Sequence, residues 1–394
     1  MSKKIVFAIC GCLCLVNVFS QTDYRDEILE GIAQNNNKLK AYRGFIESQK
    51  LVNKSGNNLP DPEISAFYLP FGENNGARYT EYQISQSFEF PTVYKVRGKW
   101  NELKAQELEI EYAKLRQEVL LKASQLLIDI KILQKQTKIE QKRKEQRNQV
   151  FNQIQELYKK EQVGILDLNK AKIAWMQEQF AVEQTKTEIQ NSLLILENLN
   201  GGNSIKLNGI GLKDDLVVES LESLWKSKKA KDPALQQLNI SESVSLQKVK
   251  LERNKILPDL TAGYNYQGVK GSNFSGFYGG ISIPLWSGRN KVKAAKSAYK
   301  FRQSQTKAVL TTEYTTFQKR YSRYQLLLKK YREYQKTMES LDSESLLFNA
   351  FKLGELSFMD YYVELKFYRD AIDKMLQMER ELYQLRSELL KHQL

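Results

Sequence analysis

The side chains best equipped for chemistry are few in this chain and poorly placed for it. Its only cysteines, Cys10, Cys12 and Cys14, sit together near the N-terminus, and its single histidine, His392, stands two residues from the C-terminus. Hydrolysis by a Ser/His/Asp or Cys/His set needs a base held beside a nucleophile, and a zinc centre needs a shell of His and Cys ligands. One tail imidazole, read here as solvated, and three thiols in one short run supply neither. Met375 and Met378 share a helix face and could hold a soft metal, although a Met pair at that spacing more often packs a core. The expectation is a protein that is not an enzyme, has no catalytic residue, metal site or cofactor, and works through its shape.

The formal net charge is +14, which in an intracellular protein would suggest nucleic acid. Two features turn that reading away. Lys3 and Lys4 precede an apolar run from Ile5 to Phe19, and Val18-Phe19-Ser20 offers a cleavage site before Gln21. Residues 1–20 therefore read as a secretory signal peptide. A retained anchor is less favoured, because spanning a bilayer takes about 20 apolar residues. Ile9-Cys10-Gly11-Cys12 loosely resembles a lipoprotein cleavage box, an alternative that would leave a lipidated Cys12. Cleavage after Ser20 removes every thiol from the mature chain. The basic residues are also interspersed with Glu and Gln, as in Lys142-Arg143-Lys144-Glu145-Gln146-Arg147, the pattern of a solvated helix surface. No nucleic-acid partner is expected, and anionic lipid head groups are a minor contact.

An exported chain without a spanning helix needs another way to meet a membrane, and two pairs of strands offer one. Between Arg78 and Phe90, Tyr82, Ile84, Phe88 and Phe90 alternate with Glu81, Gln83, Ser85, Ser87 and Glu89. Leu260, Ala262, Tyr264 and Tyr266 alternate in the same way with polar or small residues, and Phe277, Ile281, Ile283 and Leu285 follow beyond a Gly/Ser/Asn loop. Period two makes one greasy and one wet face. The partner strand near Ile64 to Leu69 alternates less cleanly. The runs have the length a tilted strand needs to cross a bilayer, and they are rich in Tyr and Phe. A soluble sandwich also alternates, but four strands are too few to organise so much helix. They are also too few to close a membrane barrel, whose smallest known form has about 8. Strands from several copies must then share one barrel.

Each strand pair leads into a long helix-forming tract, one from Pro91 to Gly164 and one from Pro284 to Gly354. Neither Gly nor Pro occurs between Lys99 and Val163 or between Arg289 and Leu353, so each tract predicts a helix on the order of 100 Å long. Val119, Leu120, Ala123, Leu126, Leu127, Ile130 and Leu133 mark a buried stripe in the first, and Val309, Tyr314, Phe317, Tyr321, Tyr324 and Leu328 one in the second. The pattern restarts after Gly164 and Gly354, which therefore read as tips of helical hairpins. Asp232-Pro233 reads as an N-cap and first helical residue. The organisation is a tandem repeat: residues 21–200, with strands about 63–90; a mixed segment, 201–231; and residues 232–394, with strands about 259–285.

At this point the residues resemble a family. Helix, strand pair and very long hairpin, repeated behind a signal peptide, are similar to the TolC family of bacterial outer-membrane efflux channels. The likeness covers essentially the whole mature chain. Locally it is carried by Tyr158-Lys-Lys-Glu-Gln-Val-Gly164-Ile-Leu166-Asp-Leu168, by Phe351-Lys-Leu-Gly354-Glu-Leu356-Ser-Phe358-Met-Asp360, and by Leu-Pro-Asp before each strand pair. Gln86-Ser-Phe88-Glu-Phe90-Pro91 and Ile283-Pro284-Leu-Trp-Ser-Gly288 after the strand pairs complete it.

The resemblance implies a mainly α fold with a transmembrane β-barrel contribution, a homotrimer in which each copy lends four strands to a twelve-stranded barrel in the outer-membrane lipid. The helices would continue as a tunnel across the periplasm, belted by mixed segments near 201–231 and at the C-terminus. It also implies that the hairpin tips, Gly164 with Leu166 and Leu168 and Gly354 with Leu356 and Phe358, meet a periplasmic adaptor coupled to an inner-membrane efflux pump, of which the RND type is one candidate. Asp360 matches the first acidic position of the family's periplasmic aperture, whereas Val363 occupies the second. The strand-flanking motifs look closest to the branch serving heavy-metal efflux. Two other classes fit less well: an adaptor has one hairpin rather than two, and a coiled-coil scaffold leaves the strands unexplained.

Overall fold

The computed structural model describes residues 24–70, 79–207, 216–269, 271–341 and 343–394. The expected leader with its cysteines, the expected loop Gly72–Ala77 and part of the mixed segment lie outside them. Two helices open the described chain, α1 (Tyr24–Asn35) and α2 (Asn37–Ser55), hinged at Asn36, whose side chain accepts from the Leu39 N–H as an N-cap. A strand pair follows, β1 (Glu63–Leu69) and β2 (Tyr79–Phe88), then α3 (Pro91–Lys159) and α4 (Ile165–Leu199). After the mixed segment come α5 (Leu221–Lys231) and α6 (Pro233–Asn254), a second strand pair, β3 (Asp259–Val269) and β4 (Ser272–Ser282), and α7 (Lys291–Glu339), α8 (Ser343–Lys352) and α9 (Phe358–Leu389).

The element order repeats. In each half a helix leads up to the strands (α2, α6) and a long helix leads down to a tip (α3, or α7 with α8). A third helix (α4, α9) climbs back only part of the way. α3 has 69 residues, so at 1.5 Å per residue it spans about 100 Å between the strands and the tip. Pro91 starts it at a position where a missing N–H costs nothing.

The second descent departs from the uninterrupted helix expected. α7 stops at Glu339, and α8 begins at Ser343. The break follows Ser340, whose Oγ donates to the Thr337 carbonyl at 2.7 Å, a side-chain bond that competes with the helix ladder.

Three apolar clusters order the helices along their length. Near the middle, the expected stripe Val119, Leu120, Ala123, Leu126, Leu127 and Ile130 of α3 packs with Leu29, Ile32 and Leu39 and with Leu196 at the end of α4. Beside it, Phe317, Tyr324, Leu328 and Tyr331 of α7 pack on Met378, Leu382, Tyr383 and Leu389 of α9, with Leu224 of α5. Met378 is buried there and Met375 packs against the cluster, a core role for that pair. The third cluster lies at the tips.

The mixed segment is pinned at mid-length by charge. Asp232 caps α6 by accepting from the Ala234 N–H at 2.9 Å, and its other oxygen takes the Lys228 ammonium at 2.8 Å. Burial alone would raise the Asp232 carboxyl, but Lys228, Lys391 and that N–H hold it below the usual carboxylate range. His392 is not the solvated tail residue expected: it is 5% exposed and hydrogen-bonded to Ser227 Oγ at 3.1 Å. The C-terminal turn, Lys391–Gln393, folds back onto α5, which no helical periodicity in so short a segment announces.

Candidate functional site

The candidate sites are the two ends of this rod. At the upper end the four strands form one antiparallel sheet in the order β1-β2-β3-β4, so the β2–β3 ladder joins the two repeats. The register sets like against like. Ile64, Ile84, Tyr264 and Phe277 are successive cross-strand partners and form one row, with Tyr82 opposite Tyr266 in the neighbouring row. This face is open: Ile64 is 76% and Phe277 90% exposed. On the other face Ser65, Gln83, Asn265 and Gly276 align. There Asn265 and Gln267 donate to Glu81 and Gln83 donates to the Tyr278 hydroxyl. The greasy and wet faces expected from the alternation are thus both present.

β3 and β4 have 11 residues each and β2 has 10, while β1 has 7. At about 3.4 Å per residue the longer strands reach about 35 Å, enough to cross the outer-membrane apolar band at a tilt. β4 ends at Ser282, leaving Ile283 and Leu285 in the turn that follows, because Pro284 has no N–H for a ladder. β1 and β4 each keep an unpaired edge, so the sheet is open within one chain.

At the lower end both tips close with the same hydrogen bonds. Gln162 N–H donates to the Leu157 carbonyl and Glu161 N–H to that of Tyr158; Glu355 N–H donates to Ala350 and Gly354 N–H to Phe351. Each pair is a Schellman motif, which requires one left-handed residue. At the second tip that residue is Gly354, φ +79°. At the first it is Glu161, φ +61°.

Gly164 is therefore not the counterpart of Gly354. It stands three residues later, in extended conformation, as the N-cap of α4, a place taken at the second tip by Ser357 before α9. On this register Asp167 and Asp360 correspond, each in the first turn of its ascending helix. Asp360 is exposed; its N–H donates to Ser357 Oγ at 3.2 Å, and that hydroxyl donates to its carboxylate at 2.5 Å. Ser357 thus caps α9 through the Asp360 N–H, and the Asp360 carboxylate holds the capping hydroxyl in place.

The tip residues expected to await a partner divide. Phe358 is only 8% exposed and lies with Phe351, Tyr361, Leu365, Val150, Ile154 and Ala171 in a cluster that binds the two tips together; Leu168 and Leu356 pack against it half-buried. Phe351 and Tyr361 stack at 4.9 Å. Leu166, 70% exposed, stays outside. Between α4 and α9, Lys170, Ile173, Ala174, Gln177, Phe358, Met359 and Tyr362 line a groove of about 180 Å³.

Above this cluster lies a polar layer that the sequence reading missed. Arg143 and Arg147, read as part of a solvated face, are buried, as is Arg369 of α9. Arg143 donates to Asp373 at 2.9 Å, and Glu178 of α4 takes Arg369 and, at 3.7 Å, Arg147. Burial, and then Arg147 beside it, lower the Arg369 pKa; burial raises that of Glu140 in the same layer. Two arginines four apart on one helix face are the only signal the sequence holds.

Among the described residues no group of three or more His, Cys, Asp or Glu could hold a metal ion, and no helix is long and apolar enough to cross a membrane.

No protein-family profile matches the chain, and no curated protein matches it in sequence. Solved structures do match. The outer-membrane channel OprN aligns with a TM-score of 0.78 at 13% identity, over 93% of this chain and 89% of that one. CusC, whose structures follow folding and transmembrane channel formation, gives 0.77 at 12%, over 93% and 91%. The CmeC outer membrane channel of Campylobacter jejuni gives 0.74 at 15%, over 93% and 85%. At such identities the likeness is one of fold, and the fold is TolC-like: a long helical body carrying a barrel-forming sheet.

Proposed function

We propose that the chain is one protomer of a homotrimeric outer-membrane efflux channel. The observation that carries this is the upper sheet: four strands with one apolar face, membrane length and two unpaired edges, at the head of a rod about 100 Å long. An open edge in lipid leaves N–H and C=O groups without partners at several kcal/mol each. Three copies, each setting β4 against the next copy's β1, remove all the edges. The helices of the two repeats, 21–200 and 232–394, then continue the barrel as a conduit through the periplasm, with 201–231 as its belt and residues 1–20 as the export signal.

At the lower end the tips dock a periplasmic adaptor, which couples the conduit to an inner-membrane pump. The exposed Leu166 and the groove beside Met359 offer the contact. Gly164, Leu168, Gly354, Leu356 and Phe358 hold the tips in shape behind it. Asp360, exposed at the start of α9, supplies a ring of three carboxylates at the aperture, which favours cations. Selection of cargo belongs to the pump.

Two measurements test the reading. Mild-detergent extracts of the outer membrane should yield the protein as three copies by native mass; a stable monomer would overturn it. Leu166→Asp should lose co-purification of the adaptor and transport while the trimer persists. Transport equal to the parent would remove the first tip from the contact.

A further inference from the structure

Between the sheet and the helical body runs a band whose charge the channel reading does not use. From Ile283 to Thr312 the chain carries seven Lys or Arg residues and no Asp or Glu. Arg289, just before α7, and Lys291, Lys293, Lys296 and Lys300, in its first ten residues, are all exposed, and none forms an ion pair among the described residues.

Cations at a helix N-terminus are unfavourable, because the unpaired N–H groups there already carry positive partial charge. α7 has no acidic residue in its first turn and no side-chain cap, and its N-cap Asn290 stands at φ +63°. α3, which leaves the same sheet, also lacks an acid in its first turn. Helix stability does not explain this placement, and an anionic surface outside the chain does.

The same band is apolar on its strand side. Ile283, Leu285 and Trp286 form the turn between β4 and α7; Trp286 is 80% exposed. The turn lies level with the other strand junctions. A Cβ on Gly288 would meet Ile256 at 3.5 Å, and Thr92 at the start of α3 hydrogen-bonds Asn254 at the end of α6 at 2.7 Å. Exposed Trp and Leu at the foot of membrane-length strands, followed within one helical turn by unpaired Lys and Arg, match the order of a bilayer surface: hydrocarbon edge, interface, phosphate.

We infer that the junction of β4 and α7 is a lipid-recognition collar that binds anionic phospholipid head groups of the periplasmic leaflet, with Trp286 at the interface and Arg289 and the cations at the start of α7 on the phosphates. This rests on the channel reading, which places the sheet in a bilayer. A single cation near an anionic surface changes lipid affinity by about fivefold, so the cluster should discriminate clearly between charged and zwitterionic lipid.

The test reads Trp286 itself. The full protein is reconstituted in phosphatidylcholine bilayers containing brominated phosphatidylglycerol or, at equal mole fraction, brominated phosphatidylcholine, and the quenching lost on Trp286→Phe isolates this side chain. The expected result is at least a fivefold preference for phosphatidylglycerol. That preference should fall to near parity in about 0.5 M salt and in the variant with all five cations replaced by Gln. Equal quenching by both lipids in the parent protein would overturn the collar and leave the channel standing. Absence of quenching by either lipid would put Trp286 outside the bilayer and also overturn the collar, while the trimer mass measurement tests the channel separately.

Discussion

The first tip ends its descending helix on Glu161 and the second on Gly354, and both close with the same pair of hydrogen bonds. A glycine enters the left-handed region freely, whereas an L-residue there costs about 1–2 kcal/mol. The first tip can carry that strain because the helix feeding it is one continuous segment of 69 residues. The second is fed by a helix interrupted after Glu339 and by a 10-residue segment, α8, that has little length of its own to hold it in place. The half with the weaker scaffold has the relaxed turn. The two tips then share one apolar cluster and one layer of buried arginines, so each stabilises the other.

The largest expected effect comes from cutting the link between the halves. Glu178→Ala leaves Arg147 and Arg369 buried without their carboxylate, and should cost about 3–5 kcal/mol in denaturant unfolding in detergent. A loss under about 1 kcal/mol would mean that the tips do not depend on each other through this layer.

Next in size is the contrast between two glycines that look alike in the sequence. Gly354→Val forces a β-branched residue into the left-handed region and should destabilise by about 2 kcal/mol. Gly164→Ser, at an extended N-cap with open space around it, should be neutral or stabilising by a few tenths of a kcal/mol. Equal effects at the two positions would restore the simpler pairing of Gly164 with Gly354. In the opposite sense, Glu161→Gly should stabilise the first tip by about 1 kcal/mol, measured by the same unfolding curve.

The smallest effect lies away from the tips, at mid-length. Burial first, and then the neighbouring Lys228, lower the His392 pKa, so the unfolded chain takes up that proton before the folded one does. Stability should be level above the ordinary histidine range and fall as pH drops through it, near about pH 6.5. Asp232, held low, adds a further loss only as pH falls through the carboxylate range. His392→Gln should flatten the upper step and leave the lower one. An unchanged upper step would assign it to another group.

Much of this architecture was legible in the chain because it rests on long periodic patterns. Seven residues of α3 chosen from spacing alone are all buried, and the alternation in β2 and β3 gave the correct faces. What could not be read depends on single conformations or distant contacts. No compositional rule marks Glu161 as left-handed, so the two glycines invite a pairing of the tips that is three residues out of step. Arg143 and Arg147 are indistinguishable in sequence from solvated Lys142 and Glu145, because their burial is imposed by Glu178 and Asp373 far along the chain. His392 is buried by a turn that forms only against α5.

In a barrel closed by three copies, β1 of one copy lies beside β4 of the next, and the mature chain's expected lack of cysteine makes that neighbourhood directly testable. A cysteine at Ser65 on β1 would be combined in turn with one at each β4 position from Phe274 to Ser282, and the protein oxidised in isolated outer membranes. At the matching register, denaturing gels should show a ladder of one, two and three cross-linked chains that stops at three. Monomers alone at every register, or a ladder that continues past three, would contradict a barrel closed by three copies.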